Sequence, residues 1–148
     1  AERDYGVRFA QLDELLAQSD FVSLHVLLSP ETQHLINKDT LTRMKRGAIL
    51  VNAARGPVVD ERALYEALRE GHLAAAALDV TETEPIAMDN PLLRLPNVII
   101  TPHIASGSLR TRARMASLAV ENMLAALAGQ KPPTCVNWDA LAEQRKGS

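Results

Sequence analysis

Residues 48–80 have the sequence AILVNAARGPVVDERALYEALREGHLAAAALDV, in which two short apolar runs flank a longer mixed segment. The runs Ala48–Asn52 and Ala74–Val80 predict buried strands of a parallel sheet, because both faces of such a strand are covered. Between them, Asp60 predicts the N-cap of a helix and Gly71 predicts its end. A strand, a helix and a strand in this order indicate a right-handed βαβ unit.

The rest of the chain continues this alternation of strands and helices. The alternation predicts the α/β class with a doubly wound parallel sheet. The remaining predicted elements are strands at Val7–Ala10, Phe21–Val26 and Val98–Thr101, a helix at Leu12–Gln18, an amphipathic segment at Leu41–Met44, a helix at Glu61–Glu70 and a long helix at Ser108–Ala128 that ends at Gly129.

Three polar residues, Arg55, Glu84 and His103, each come shortly after an apolar run. We expect them at one edge of the sheet, because the carboxyl ends of parallel strands meet there. A guanidinium offers a planar fork that matches a carboxylate, and an imidazole has an unperturbed pKa near 6.5, which suits proton transfer at neutral pH. A neighbouring carboxylate favours the charged imidazole. The three types together predict proton transfer at a carbon next to a carboxylate.

Four sequence blocks carry a resemblance to a known family. They are LLAQSDFVSLHV from Leu15, MKRGAILVNAARGPVVD from Met44, DVTETEP from Asp79 and LPNVIITPHIAS from Leu95. In this order they resemble the D-isomer-specific 2-hydroxyacid dehydrogenases, which include phosphoglycerate dehydrogenase, D-lactate dehydrogenase and glyoxylate/hydroxypyruvate reductase. The resemblance extends from about Leu12 to Leu127.

The resemblance implies a Rossmann-type domain of an oxidoreductase. Such an enzyme transfers a hydride between NAD or NADP and a small D-2-hydroxy acid/2-oxo acid pair. By position, the family's catalytic arginine, glutamate and histidine correspond to Arg55, Glu84 and His103. The resemblance also implies a homodimer for the full-length protein.

The same resemblance implies a set of cofactor-binding residues. Asp79 corresponds to the aspartate that bonds the nicotinamide carboxamide, and Ala53 and Ala54 correspond to backbone near the cofactor ribose. Leu27 and Ala105 depart from the family, which usually has proline and often has glycine there, so they bear on the fit of the cofactor. The full set is Val26, Leu27, Thr32, Ala53, Ala54, Arg55, Asp79, His103, Ala105 and Ser106.

The dinucleotide fingerprint G-x-G-x-x-G does not occur in the 148 residues, whose 7 glycines are scattered. We therefore expect a fold truncated at its N-terminus, with the glycine-rich loop and the substrate domain upstream of Ala1. Residues 1–129 would form a partial dinucleotide-binding domain, and residues 130–148 a tail returning toward the substrate domain. We expect this fragment to be inactive alone.

Composition excludes several classes of partner. A net charge of −2 and a pI near 6.1 argue against nucleic acid and against a charged membrane surface. The single cysteine, Cys135, excludes an internal disulfide, and no ligand spacing indicates a metal. No window approaches the ~20 apolar residues of a membrane span, and no signal-like region is seen, so we expect a cytoplasmic protein.

One alternative function stays open at this point. Some members of the same superfamily are corepressors, which bind the dinucleotide mainly to assemble with partners and keep the same three polar residues. The region upstream of Ala1 would separate the two hypotheses, since a peptide-binding cleft would lie on the substrate domain.

Overall fold

Four parallel strands form one sheet in the computed structural model, which describes residues 2–138 and 140–141. The strands follow one another across the sheet in chain order, and in register Val51 lies between Ser23 and Ala77. The strands are β1 (Phe21–Leu24), β2 (Ile49–Asn52), β3 (Ala75–Leu78) and β4 (Val98–Ile100). The α/β class with a parallel sheet is thus confirmed.

The helices alternate with these strands. They are α1 (Glu2–Tyr5), α2 (Leu12–Gln18), α3 (Lys38–Arg43), α4 (Glu61–Arg69) and α5 (Leu109–Leu127), with short 3₁₀ helices at Gly56–Val58 and Pro91–Arg94. The predicted caps of α4 are confirmed, because the Asp60 side chain accepts from the Ala63 N–H at 3.0 Å and Gly71 has a φ of +68°. The predicted helix end at Gly129 is confirmed by a φ of +69°.

One face of the sheet carries the hydrophobic core. Leu24, Leu50 and Leu78 on this face are buried against Leu16 of α2 and Leu64 of α4. The opposite face carries Phe21 and Ile99, whose exposed fractions are 72% and 68%. The core therefore lies between the sheet and helices α2, α3 and α4, and it fixes how the carboxyl ends of the strands are placed.

The prediction of a strand at Val7–Ala10 is wrong. These residues lie in an irregular segment, and the exposed fraction of Val7 is 54%. A strand needs backbone pairing with a neighbouring strand, and the sheet of the described residues ends at β1. The β-propensity of these residues is thus not sufficient to form a strand.

Two further boundaries differ from the prediction. β1 ends at Leu24, so Val26 lies in the following loop. α3 begins at Lys38, three residues before Leu41, because Asn37 forms a capping box with Thr40. That box satisfies the free N–H groups of the first turn and starts the helix earlier than its apolar pattern indicates.

Contacts divide the chain into two compact units, residues 1–105 and 106–148. The first contains the sheet and its core. The second contains α5, whose Asn122 side chain accepts from the backbone N–H of Thr134 at 3.2 Å. The division into residues 1–129 and 130–148 stays a prediction. Among the described residues, no helix is both long and apolar enough to cross a membrane.

Candidate active site

The three predicted catalytic residues lie on loops that leave the carboxyl ends of the strands. Arg55 follows β2, Glu84 lies in the loop after β3, and His103 follows β4. Because the sheet is parallel, these loops leave the same edge.

His103 and Glu84 form a direct pair. The Nδ1 atom of His103 lies 2.8 Å from Oε2 of Glu84. An ionised carboxylate can only accept hydrogen bonds, so Nδ1 carries the proton and its N–H group donates a hydrogen bond to Glu84. In the neutral ring Nε2 is then the unprotonated nitrogen, and in the charged ring it becomes a second donor.

The charge state of Glu84 follows from its neighbours. The hydrogen bond from His103 lowers the pKa of Glu84, and the hydrogen bond from the Thr81 N–H and the charges of His103 and Arg55 lower it further, against an opposing effect of burial. The net pKa lies below the ordinary value, so Glu84 is ionised at neutral pH. Arg55 thus contributes the last of these effects, through the positive charge of its guanidinium.

Asn52 shapes the turn that carries Arg55. Its side chain is buried at the end of β2, where Oδ1 accepts from the Ala54 N–H at 3.0 Å and Nδ2 donates to the Arg55 carbonyl at 2.9 Å. The Arg55 side chain is exposed, and its Nη1 donates to the Ala54 carbonyl at 2.7 Å. Sequence reasoning missed Asn52, although a polar residue at the end of a buried apolar run was a usable signal.

Asp79 holds the loop that carries His103. Its buried carboxylate accepts from the hydroxyl of Thr101 and from the N–H groups of Ile104 and Ala105, the last two at 2.8 and 2.7 Å. Burial raises the pKa of Asp79, but these three hydrogen bonds and the charge of His103 outweigh it, so the net pKa is lowered. An ionised carboxylate with three hydrogen-bond donors thus fixes the turn on both sides of His103.

The backbone of His103 is strained within that turn. Its φ is +53°, in the left-handed region that residues with a Cβ seldom adopt. The His103 N–H donates to the Asp79 carbonyl at 2.9 Å, which keeps the residue in this conformation. Strain of this kind is common at functional sites, where the surrounding structure imposes it.

Some of the predicted cofactor-binding residues are brought together and others are not. A shallow apolar cavity of about 340 Å³ lies on the exposed face of the sheet, near the carboxyl ends of the strands. Its lining includes Ala53, Asp79, Thr101, Ile104 and Ala105, together with the strand residues Val51, Ala77 and Ile99. The remaining members of the predicted set are placed elsewhere. This cavity is not lined by Val26, Leu27 or Thr32, which follow β1. The neighbouring turn contains Ala54 and Arg55, a different cavity is lined by His103, and the second unit begins at Ser106.

Thr32 has a local role in the loop after β1. Its hydroxyl donates to the Leu27 carbonyl at 2.6 Å and accepts from the Ser29 N–H at 2.8 Å. Leu27, which stands where the family usually has proline, is 86% exposed. The Thr32 hydroxyl thus links Leu27 and Ser29 within this loop by hydrogen bonds.

A second apolar cavity, of about 530 Å³, lies directly against the His103–Glu84 pair. Ile86, Leu93 and Pro102 contribute to its lining. No group of three or more His, Cys, Asp or Glu side chains among the described residues is arranged to hold a metal ion.

The family of the chain is shown by its sequence. Residues 1–105 match the family described as D-isomer specific 2-hydroxyacid dehydrogenase, NAD binding domain. The chain belongs to this family.

Individual relatives refine the comparison. The chain is 52% identical over 146 residues to the glyoxylate reductase of Korarchaeum cryptofilum, an alignment that covers 99% of this chain and 44% of that protein. The crystal structure of the TT0316 protein from Thermus thermophilus matches with a TM-score of 0.83 and 57% identity, over 86% of this chain and 41% of that one.

Several similar structures were solved with a nicotinamide cofactor. A D-isomer specific 2-hydroxyacid dehydrogenase from Xanthobacter autotrophicus Py2, in complex with NADPH and MES, matches with a TM-score of 0.72 and 46% identity, over 82% of this chain and 50% of that one. The chain spans less than half the length of the glyoxylate reductase it matches.

Proposed function

We propose that this chain is part of an NAD(P)-dependent D-2-hydroxyacid dehydrogenase that reduces a small 2-oxo acid to the D-2-hydroxy acid. The observation that carries the proposal is the His103–Glu84 pair at the carboxyl edge of the sheet, with the exposed Arg55 on the loop that leaves the neighbouring strand β2. Glyoxylate and hydroxypyruvate are the first substrates to test, because similar proteins are named as reductases of these acids.

Arg55 has the chemistry to hold the substrate carboxylate. Its guanidinium is exposed at the sheet edge, and Nη1 bonds the Ala54 carbonyl within its own turn. The other N–H groups of the fork can bind a carboxylate in the bidentate geometry that an ammonium lacks.

His103 is the proton donor in this proposal. Because the Nδ1–H group donates its hydrogen bond to Glu84, the Nε2 atom is left to exchange a proton with the substrate oxygen. The ionised Glu84 stabilises the charged ring before transfer and holds the ring in place.

The residues near the carboxyl ends of the strands fit a nicotinamide ring. The cavity lined by Ala53, Asp79 and Ala105 is shallow and apolar, with one buried carboxylate. The Oδ2 atom of Asp79 accepts the Ala105 N–H, and a carboxylate oxygen can accept a second donor, such as the ring's carboxamide. A bound nicotinamide would supply the hydride for reduction.

The proposal is tested with His103→Ala in the full-length protein. We expect kcat for the NADH- or NADPH-dependent reduction of glyoxylate and hydroxypyruvate to fall by about 10²-fold or more, the usual contribution of a positioned acid. His72→Ala is the matched control, since that ring lies after α4 and contacts the Met44 carbonyl. Near-normal turnover of His103→Ala contradicts the assignment.

A further inference from the structure

The loop that carries Glu84 is held from outside the pair by a second carboxylate. Glu61 is the first residue of α4, and its Oε1 atom accepts from the backbone N–H of Glu82 at 2.6 Å. Its Oε2 atom accepts from Nδ2 of Asn90 at 2.8 Å. One side chain therefore bonds both the loop and the residue that precedes the 3₁₀ helix at Pro91–Arg94.

We propose that Glu61 is a positioning residue that sets the place of the Glu84 carboxylate relative to His103. It does so through the backbone of the loop and touches neither member of the pair. This inference rests on the proposed function for its catalytic consequence, but the geometry that carries it is independent of the reaction.

The path from Glu61 to Glu84 is short. The Glu82 amide held by Glu61 is bonded covalently to Thr81, whose own N–H donates to Oε1 of Glu84 at 3.2 Å. The Thr81 hydroxyl donates to the Thr83 carbonyl at 2.8 Å, which closes the loop on itself. A shift of the Glu82 amide is therefore passed to the donor that orients Glu84.

Asn90 explains why a carboxylate suits this position. The Oδ1 atom of Asn90 accepts from the Leu92 N–H at 3.0 Å, so its amide group is turned with Nδ2 toward Glu61. Glu61 thus receives one donor on each oxygen. A glutamine has one acceptor oxygen, so it can keep one of these bonds while its own NH₂ faces the other donor.

A second tether holds the opposite side of the same loop. The Oε1 atom of Glu82 lies 2.7 Å from Nε2 of His34. Glu82 is therefore held twice, by His34 at its side chain and by Glu61 at its backbone N–H. The loss of Glu61 therefore loosens the loop without freeing it. We expect a graded effect on the pair, smaller than that of removing Glu84.

The experiment compares Glu61→Ala, Glu61→Gln and Asn90→Ala with Glu66→Ala in the full-length protein. Glu66 lies on the same helix and pairs with Arg62 at 3.8 Å, so it is the matched control. The first readout is kcat for 2-oxo acid reduction. The second is the pKa of Glu84, followed by ¹³C NMR of its carboxylate.

We expect Glu61→Ala to lower kcat by about 10-fold or more, since small misplacements of catalytic groups have large effects on rate, and to leave KM for NADH within about twofold. The pKa of Glu84 should rise toward its ordinary value as the contact with His103 loosens. Glu61→Gln and Asn90→Ala should fall between Glu61→Ala and the control, and they keep the test available if Glu61→Ala does not fold.

The two readouts separate the two proposals. If Glu61→Ala leaves both kcat and the pKa of Glu84 at the values of Glu66→Ala, the positioning role is overturned. If the unmutated protein does not reduce 2-oxo acids, the proposed function fails, while the pKa of Glu84 in Glu61→Ala still decides whether Glu61 sets the pair.

Discussion

Gly56 is the point at which the turn that carries Arg55 packs against the backbone of the loop that carries Glu84. The variant Gly56→Ala tests how closely these two segments must pack. Gly56 is buried and its backbone is outside the left-handed region, so alanine adds no backbone strain of its own. A Cβ atom there would lie 1.9 Å from the Thr81 carbonyl oxygen and 2.6 Å from the Glu82 nitrogen. Both are backbone atoms, which cannot rotate away as a side chain can.

The size of the disturbance follows from these distances. Real Cβ atoms stay at least 3.0 Å from such neighbours, so the two loops must separate by about 1.1 Å, the difference between 3.0 and 1.9 Å. Overpacking a buried site costs about 1–3 kcal/mol of unfolding free energy. A displacement of about 1 Å between groups that act together can lower the rate about 10²-fold.

The assay measures kcat/KM for 2-oxo acid reduction and the urea midpoint of the full-length protein. The control is Gly71→Ala. Gly71 has a φ of +68° and no atom within 4 Å of the position of an added Cβ, so alanine there strains the backbone without pushing on a neighbour. We expect Gly71→Ala to lose about 1–2 kcal/mol of unfolding free energy and to keep its activity. If Gly56→Ala keeps kcat/KM within about twofold of the unmutated protein, the reasoning is refuted.

Two further predictions concern pH and the cofactor. The pKa of Glu84 is lowered by folding, so its contact with His103 stabilises the fold above the ordinary value of 4.5 and is lost as pH falls through the lowered value. The difference in melting temperature between the unmutated protein and Glu84→Gln should therefore be largest near neutral pH and shrink below about 4.5; a constant difference down to about pH 3 contradicts this. For the cofactor, the 148 residues contain no G-x-G-x-x-G, so we expect the chain alone to bind NADH and NADPH only weakly. Micromolar binding, followed by nicotinamide fluorescence, would overturn that expectation.

Local signals predicted most of the fold. The runs at Ala48–Asn52 and Ala74–Val80 contain β2 and β3, because a strand buried on both faces is a continuous apolar run. Asp60 and Gly71 delimit α4 through chemistry confined to a few residues. Val7–Ala10 failed because pairing of a strand depends on residues far away in the chain.

Part of the candidate site could also be predicted from the sequence. The residue types at Arg55, Glu84 and His103 were visible in sequence, as was their position after strands. Asn52 was missed although its bonds stay within its own turn and its position after an apolar run was a usable signal. The bonds of Glu61 were not visible, since they depend on how the loop at Glu82 lies against α4. That the cofactor binds to the predicted residues remains a prediction.

The left-handed backbone of His103 sets a limit on engineering. With a φ of +53°, this position carries a conformational cost that glycine would remove, because glycine has no Cβ to clash. Glycine would also remove the contact between His103 and Glu84, so its net effect on heat resistance depends on which of the two changes is larger. Variants of this protein should be selected for turnover after heating, so that gains in melting temperature are not obtained at the expense of the imidazole.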